Sequence, residues 1–249
     1  MNLRRIGREL LFFSLLTTTG IIKADTFSTV TYNFQLPSSG GGMDTLLNGV
    51  DAETFCDDFA HNIWVPYTYT GVNVTTMTSA SDLSQTRFGS VSSWTQISIG
   101  DASTQTTINN ANALARYQMV GYLTSLYNLP QGANAYNEGI QEAIWTIMDP
   151  VGTTVALPNI GDATSALNSA ASWFSSTTAS QRDYLLSAFK IITDPTSKLG
   201  PNCGFQEQIT GHLAPVPEPR TYAFLIVGLL TMGWMGRRKL SVSLPGTQR

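Results

Sequence analysis

The chain has 249 residues with 14 Lys and Arg, 17 Asp and Glu, and a formal charge of −3, which is enough for one body of ordinary domain size plus appended segments. The charge is unevenly placed: between Asp25 and Pro215 stand five basic and fifteen acidic residues, a formal −10, while the other nine basic residues lie at the two ends. An acidic body of this kind excludes nucleic acid as a partner, because it repels phosphate.

The first 25 residues read MNLRRIGRELLFFSLLTTTGIIKAD. Arg4, Arg5 and Arg8 form a positive n-region, Leu10 to Leu16 an apolar h-region broken only by Ser14, and Ala24 a small residue for cleavage. Residues 1–24 are therefore expected to be a secretory signal peptide, removed on export.

Residues 25–214 form the expected extracytoplasmic globular domain. Thr, Ser, Asn, Gln and Gly dominate it and Lys is scarce. Its first half predicts strands at 26–36, 63–78 and 90–100, where β-branched and aromatic residues partly alternate. The Ser-Ser-Gly-Gly-Gly run at 38–42 reads as a loop. The second half predicts helices. Ile108, Ala111, Leu114, Ala115, Met119, Tyr122, Leu123 and Leu126 mark one helical face across 107–128. A second helix is expected over 134–149, with Ile140, Ala143, Ile144, Ile147 and Met148 inward and Pro150 as its stop. Further helices are expected at 162–176 and 180–190, the latter capped by Ser180 with Asp183 in the capping-box position. Residues 191–193 and 205–210 return as strands. The fold class this predicts is α+β, a β-rich first half followed by a helical second half.

Pro215, Pro217 and Pro219 detach the C-terminal stretch from the domain. Thr221 to Met235 carries no charge, Tyr222 and Trp234 suit the two interfaces, and Arg237, Arg238 and Lys239 suit a cytoplasmic anchor. The stretch is expected to be a single transmembrane helix, shorter than the ~20 residues of a comfortable span. The order of Pro217-Glu218-Pro219, a short apolar helix and an Arg-rich cluster, paired with an N-terminal leader, resembles the PEP-CTERM sorting signal. That resemblance assigns 215–240 as the sorting segment and leaves 241–249 as a short polar tail. It implies recognition by an exosortase in the inner membrane, then release to the periplasm, cell surface or extracellular matrix. It also implies a link to exopolysaccharide and biofilm, and a non-enzymatic exported protein.

The body holds two cysteines, Cys56 and Cys203. In an oxidising compartment an even pair invites a disulfide, which the chain-entropy model values at roughly 4–5 kcal/mol for so long a loop. A second reading starts from the string Gly139-Ile-Gln-Glu-Ala-Ile-Trp145 downstream of Phe55-Cys56. A Gln followed by small, Ile and Trp residues, with an aromatic-Cys upstream, resembles the thioester domains of bacterial surface adhesins. The resemblance implies that the Cys56 thiol and the Gln141 side chain join with loss of ammonia. The product is an electrophile for a surface amine or a hydroxyl, such as one on polysaccharide. Plain helix packing of Trp145 and Gln141 is the alternative. Gln206 and Glu207 near the end of the body complete a pattern associated with PEP-CTERM exported proteins.

Other chemistries have thinner support. Asp57 and His61 share spacing for a metal, but His212 is the sole further histidine. Asp51, Glu53, Asp57 and Asp58 suit Ca²⁺ by ligand type, without EF-hand spacing. A secreted polysaccharide hydrolase would need paired carboxylates in a cleft, and neighbours such as Asp57 and Asp58 alternate faces if they lie on a strand. No G-x-S-x-G and no phosphate-binding loop is present. No cofactor and no metal is expected.

Overall fold

A computed structural model of the chain describes residues 28–35, 42–59, 62–127, 135–150, 158–196 and 205–213. The expected leader, the sorting motif at Pro217, Glu218 and Pro219, the basic anchor at Arg237, Arg238 and Lys239, and Cys203 lie outside the described residues, as does His61. Among the described residues no helix is long and apolar enough to cross a membrane.

The described body is α+β. Strands β1 (Thr29–Gln35), β2 (Gly42–Leu47), β3 (Val50–Cys56), β4 (Tyr67–Thr70) and β5 (Asn73–Thr75) precede helices α1 (Ala102–Asn109), α2 (Ala113–Thr124), α3 (Ala135–Met148), α4 (Ile160–Ser176) and α5 (Ala179–Leu186). Strands β6 (Ile191–Thr193) and β7 (Gln208–Leu213) close the order. The strands pair antiparallel in the order β4-β1-β2-β3-β7-β6-β5.

That order has a geometric consequence. β4 and β5 are the two edges of the sheet, yet only Gly71 and Val72 separate them in sequence. Three peptide steps reach about 10 Å at most. The sheet must therefore curl until its edges nearly meet, and Gly71 turns the corner at φ +70°. Val72 points into the resulting interior with Val30, Tyr32, Met43, Leu47, Ala52, Ile192 and Phe205. The outer face, through Phe55, Ile191 and Ile209, meets the helices in a second core with Tyr117, Met119, Leu123, Ile140, Ile144 and Leu167. Ile191 and Ile192 supply one face each, as strand alternation requires.

The β2–β3 hairpin turns through Asn48 (φ 49°) and Gly49 (φ 82°), the left-handed pair of a tight hairpin. The Asn48 Oδ1 also accepts from the Ser28 and Thr29 amides at 3.0 and 3.1 Å, fastening the start of β1.

Several expectations are corrected. β2 and β3 were not among the expected strands. The expected strand at 63–78 is broken into β4 and β5. Residues 90–100 form no strand: the Ile97 amide and carbonyl bond to the Asn109 side chain at 2.8 and 3.2 Å, so a side chain replaces a strand partner. The expected helix over 107–128 is two helices, because Asn112 ends the run by capping α2 with its Oδ1 on the Ala115 amide at 2.9 Å. α5 is capped by Thr178 and not by Ser180, in a capping box completed by Gln181.

α3 matches its expected face. Ile140, Ala143, Ile144, Ile147 and Met148 are all buried. α3 lies close on α4 because Gly139 has no side chain: a Cβ there would stand 2.8 Å from the Ala163 nitrogen.

Candidate functional site: Cys56 and Gln141

Cys56 is the last residue of β3, between β2 and β7, and its side chain is fully buried. It is a free thiol. The sulfur donates to the Asp58 carbonyl at 3.0 Å and accepts from the Trp145 indole Nε1 at 3.4 Å.

Gln141 comes from the middle of α3, 85 positions later. Its Nε2 donates to the Cys56 backbone carbonyl at 2.5 Å. Its Oε1 accepts from the Tyr127 hydroxyl at 2.8 Å. Gln141 and Trp145 are four apart on one helix, so their side chains share a face, and both reach Cys56. The structure thus brings together Cys56, Gln141 and Trp145. Tyr127, which nothing in the local sequence marked, completes the contact; its ring stacks on Phe55, centroids 3.9 Å apart.

The site is dry. Gln141 is 1 % exposed and Cys56 0 %. Trp145 is half-buried and touches both the sulfur and the exposed ring of Phe59, centroids 4.9 Å apart. Burial pushes the Cys56 thiol well up from its ordinary value, the indole hydrogen bond opposes this, and the charges of Asp57 and Asp58 add to it. The thiol is neutral at physiological pH.

Asp57 and Glu207 form a buried acid pair beside Cys56. Glu207 accepts from Tyr117 Oη at 2.5 Å, from the Arg87 amide at 2.7 Å and from the Thr193 hydroxyl. Neither oxygen of the buried Asp57 carboxyl has a hydrogen-bond partner among the described residues, and the Glu207 carboxylate is near enough to act on it electrostatically. Burial, then the Glu207 charge, push Asp57 well above the carboxylate range, and burial raises Glu207 against its donors. Asp57 holds a proton, because Glu207 already has three donors.

Asp57 and Asp58 do not share a cleft. Asp58 pairs with Arg87, Oδ2 to Nε 2.8 Å, and both aspartates are 1 % exposed. Asp51 is exposed and Glu53 half-buried. Among the described residues no group of three or more His, Cys, Asp and Glu is arranged to hold a metal ion.

No family model, no curated protein and no solved structure matches this chain.

Proposed function

We propose that this chain is an exported cell-surface protein whose body carries an internal thioester between Cys56 and Gln141, a covalent adhesion module. One observation carries the reading: the Gln141 carboxamide is held in the dry interior against Cys56, its Nε2 2.5 Å from the Cys56 carbonyl. A buried thiol beside a buried carboxamide can condense, Cys–SH and R–CO–NH₂ giving R–CO–S–Cys and NH₃. The thioester then survives because Trp145 and the surrounding core keep water out. A partner amine or hydroxyl that displaces the Phe59–Trp145 cover would be acylated by Gln141, releasing the Cys56 thiol.

Export and sorting belong to the same reading and rest on the sequence. The leader 1–24, Pro217-Glu218-Pro219, the apolar stretch and Arg237, Arg238 and Lys239 fit processing by an exosortase and delivery outside the inner membrane, next to exopolysaccharide. In this reading the protein has no turnover and no cofactor.

The test is the intact mass of the chain recovered from an exporting host. The expected mass is lower than the sequence by one ammonia beyond any leader or sorting cleavage, restored with mass added by methylamine, and unaltered from the sequence in Cys56→Ala and Gln141→Ala. A mass lower by two hydrogens and recovered on reduction would instead establish the Cys56–Cys203 disulfide and overturn the thioester.

A further inference from the structure

A carboxamide is a poor electrophile, and burial has made the Cys56 thiol a poor nucleophile. Something in the site must lower the barrier to joining them. The orientation of Gln141 shows where. The Cys56 carbonyl can only accept, so the Gln141 group facing it is the amide nitrogen. The oxygen therefore faces Tyr127, and since a carbonyl oxygen cannot donate, the phenol must donate to it, at 2.8 Å.

We propose that Tyr127 is a catalytic residue of this site, the oxyanion donor for the Gln141 carbonyl. The inference rests on the Cys56–Gln141 reading. As sulfur attacks Gln141 Cδ, the carbonyl π pair moves onto Oε1, and the Tyr127 hydroxyl holds that charge. The thiol proton passes to Nε2, the C–N bond breaks, the carbonyl reforms and ammonia leaves. When a primary amine later opens the thioester, the same oxygen becomes negative again. The C–S bond breaks, and the proton lost by the amine ends on the Cys56 sulfur. One donor serves both directions because both pass through the same oxyanion.

Three features fit the phenol to this role. Its ring is stacked on Phe55, the residue before Cys56, which fixes the phenol beside the strand end that carries the nucleophile. It is buried, and a hydrogen bond to developing charge is stronger away from water. Burial, and then the Cys56 charge, raise its pKa well above the ordinary value, so it remains a protonated donor.

Tyr127→Phe tests this in the full exported chain, keeping the ring and deleting the hydroxyl. Loss of ammonia after a synthesis pulse and opening by methylamine should both slow by about 100- to 1000-fold, the usual effect of one oxyanion donor. Thermal unfolding of Tyr127→Phe in a Cys56→Ala background separates this from loss of fold. A fluorotyrosine placed at 127 has the same shape and a more acidic hydroxyl, and should speed methylamine opening; it decides the matter if Tyr127→Phe does not fold. Wild-type rates in Tyr127→Phe, or no rate change with fluorotyrosine, would overturn the role of Tyr127 and leave the thioester standing. A wild-type chain that never loses ammonia would overturn both.

Discussion

Tyr117 and Glu207 are 90 positions apart, yet the phenol donates to the carboxylate at 2.5 Å in the buried layer beside Cys56. Removing that hydroxyl leaves Glu207 with two donors in a site water does not reach. Tyr117→Phe is expected to destabilise the body by about 1–3 kcal/mol, the penalty for an unmet buried acceptor near charge. Chemical denaturation of the variant against wild type measures it.

The neighbouring Asp57 gives a pH signature. Its folded-state pKa, and that of Glu207, are raised above the ordinary carboxylate values, which lie near 4 in an unfolded chain. The folded state therefore binds more protons than the unfolded state above that pH. The stabilisation from these protons is fully present below the unfolded values and is lost as pH rises through the folded ones. Stability should therefore fall as pH rises above the ordinary carboxylate range. Asp57→Asn should flatten the curve. A stability that rises over this range would contradict a protonated Asp57.

Arg116 is fully buried, with its guanidinium on the carbonyls of Ile108 (2.9 Å), Ala111 (3.3 Å) and Ile147 and stacked on Trp94 at 4.4 Å. It satisfies the Ile147 carbonyl in the last turn of α3 and the Ala111 carbonyl between α1 and α2, and joins the Ala111 amide on the Ile108 carbonyl. Arg116→Met should cost about 3 kcal/mol by stranding them, and Arg116→Lys should not rescue, since one ammonium cannot span three acceptors. Unfolding of both variants decides it.

Gly139→Ala probes the seat of Gln141. The added methyl would meet Asp162 and the Ala163 nitrogen on α4, driving α3 away. A cost of about 1–3 kcal/mol is expected from such overpacking, with less ammonia lost at Cys56. Unfolding and intact mass on one sample read both.

Trp145→Phe keeps a ring but removes the indole donor to the sulfur. With a smaller ring left to cover the site beside Phe59, the proposed thioester should form and then hydrolyse about tenfold faster, the equivalent of ~1.4 kcal/mol of barrier. The half-life of the species lacking ammonia gives the answer.

Legibility in the chain depends on which forces act locally. α3 was readable because a 3.6-residue apolar period is a local property, and the four-residue step from Gln141 to Trp145 put both on one face before any fold was known. β2 and β3 were not read as strands, although Asn48-Gly49 is a strong hairpin signal; Asp44, Asp51 and Glu53 are of types depleted in strands, and they dilute the β-branched and aromatic content by which the other strands were read. The break between α1 and α2 turns on one capping asparagine, Asn112, inside an otherwise continuous apolar face. Tyr127 reaches Gln141 and Phe55 by tertiary packing, and no spacing in the chain announces it; Glu207 was singled out by its place near the end of the body, but not as the neighbour of Asp57.

The position of β7 sets the timing of site assembly. β3 pairs with β7 through Cys56 and Gln208, and the Gln206 side chain closes on the Asp58 carbonyl across 148 positions. A chain that emerges from its N-terminus first can form the β2–β3 hairpin early, but the strand bearing Cys56 stays open on one side until residues 205–213 have emerged. Folding dominated by so distant a pairing is slow. In the exported protein proposed above, this late closure would keep the body threadable during translocation, and the pocket around the thiol is sealed only by one of its last-made strands.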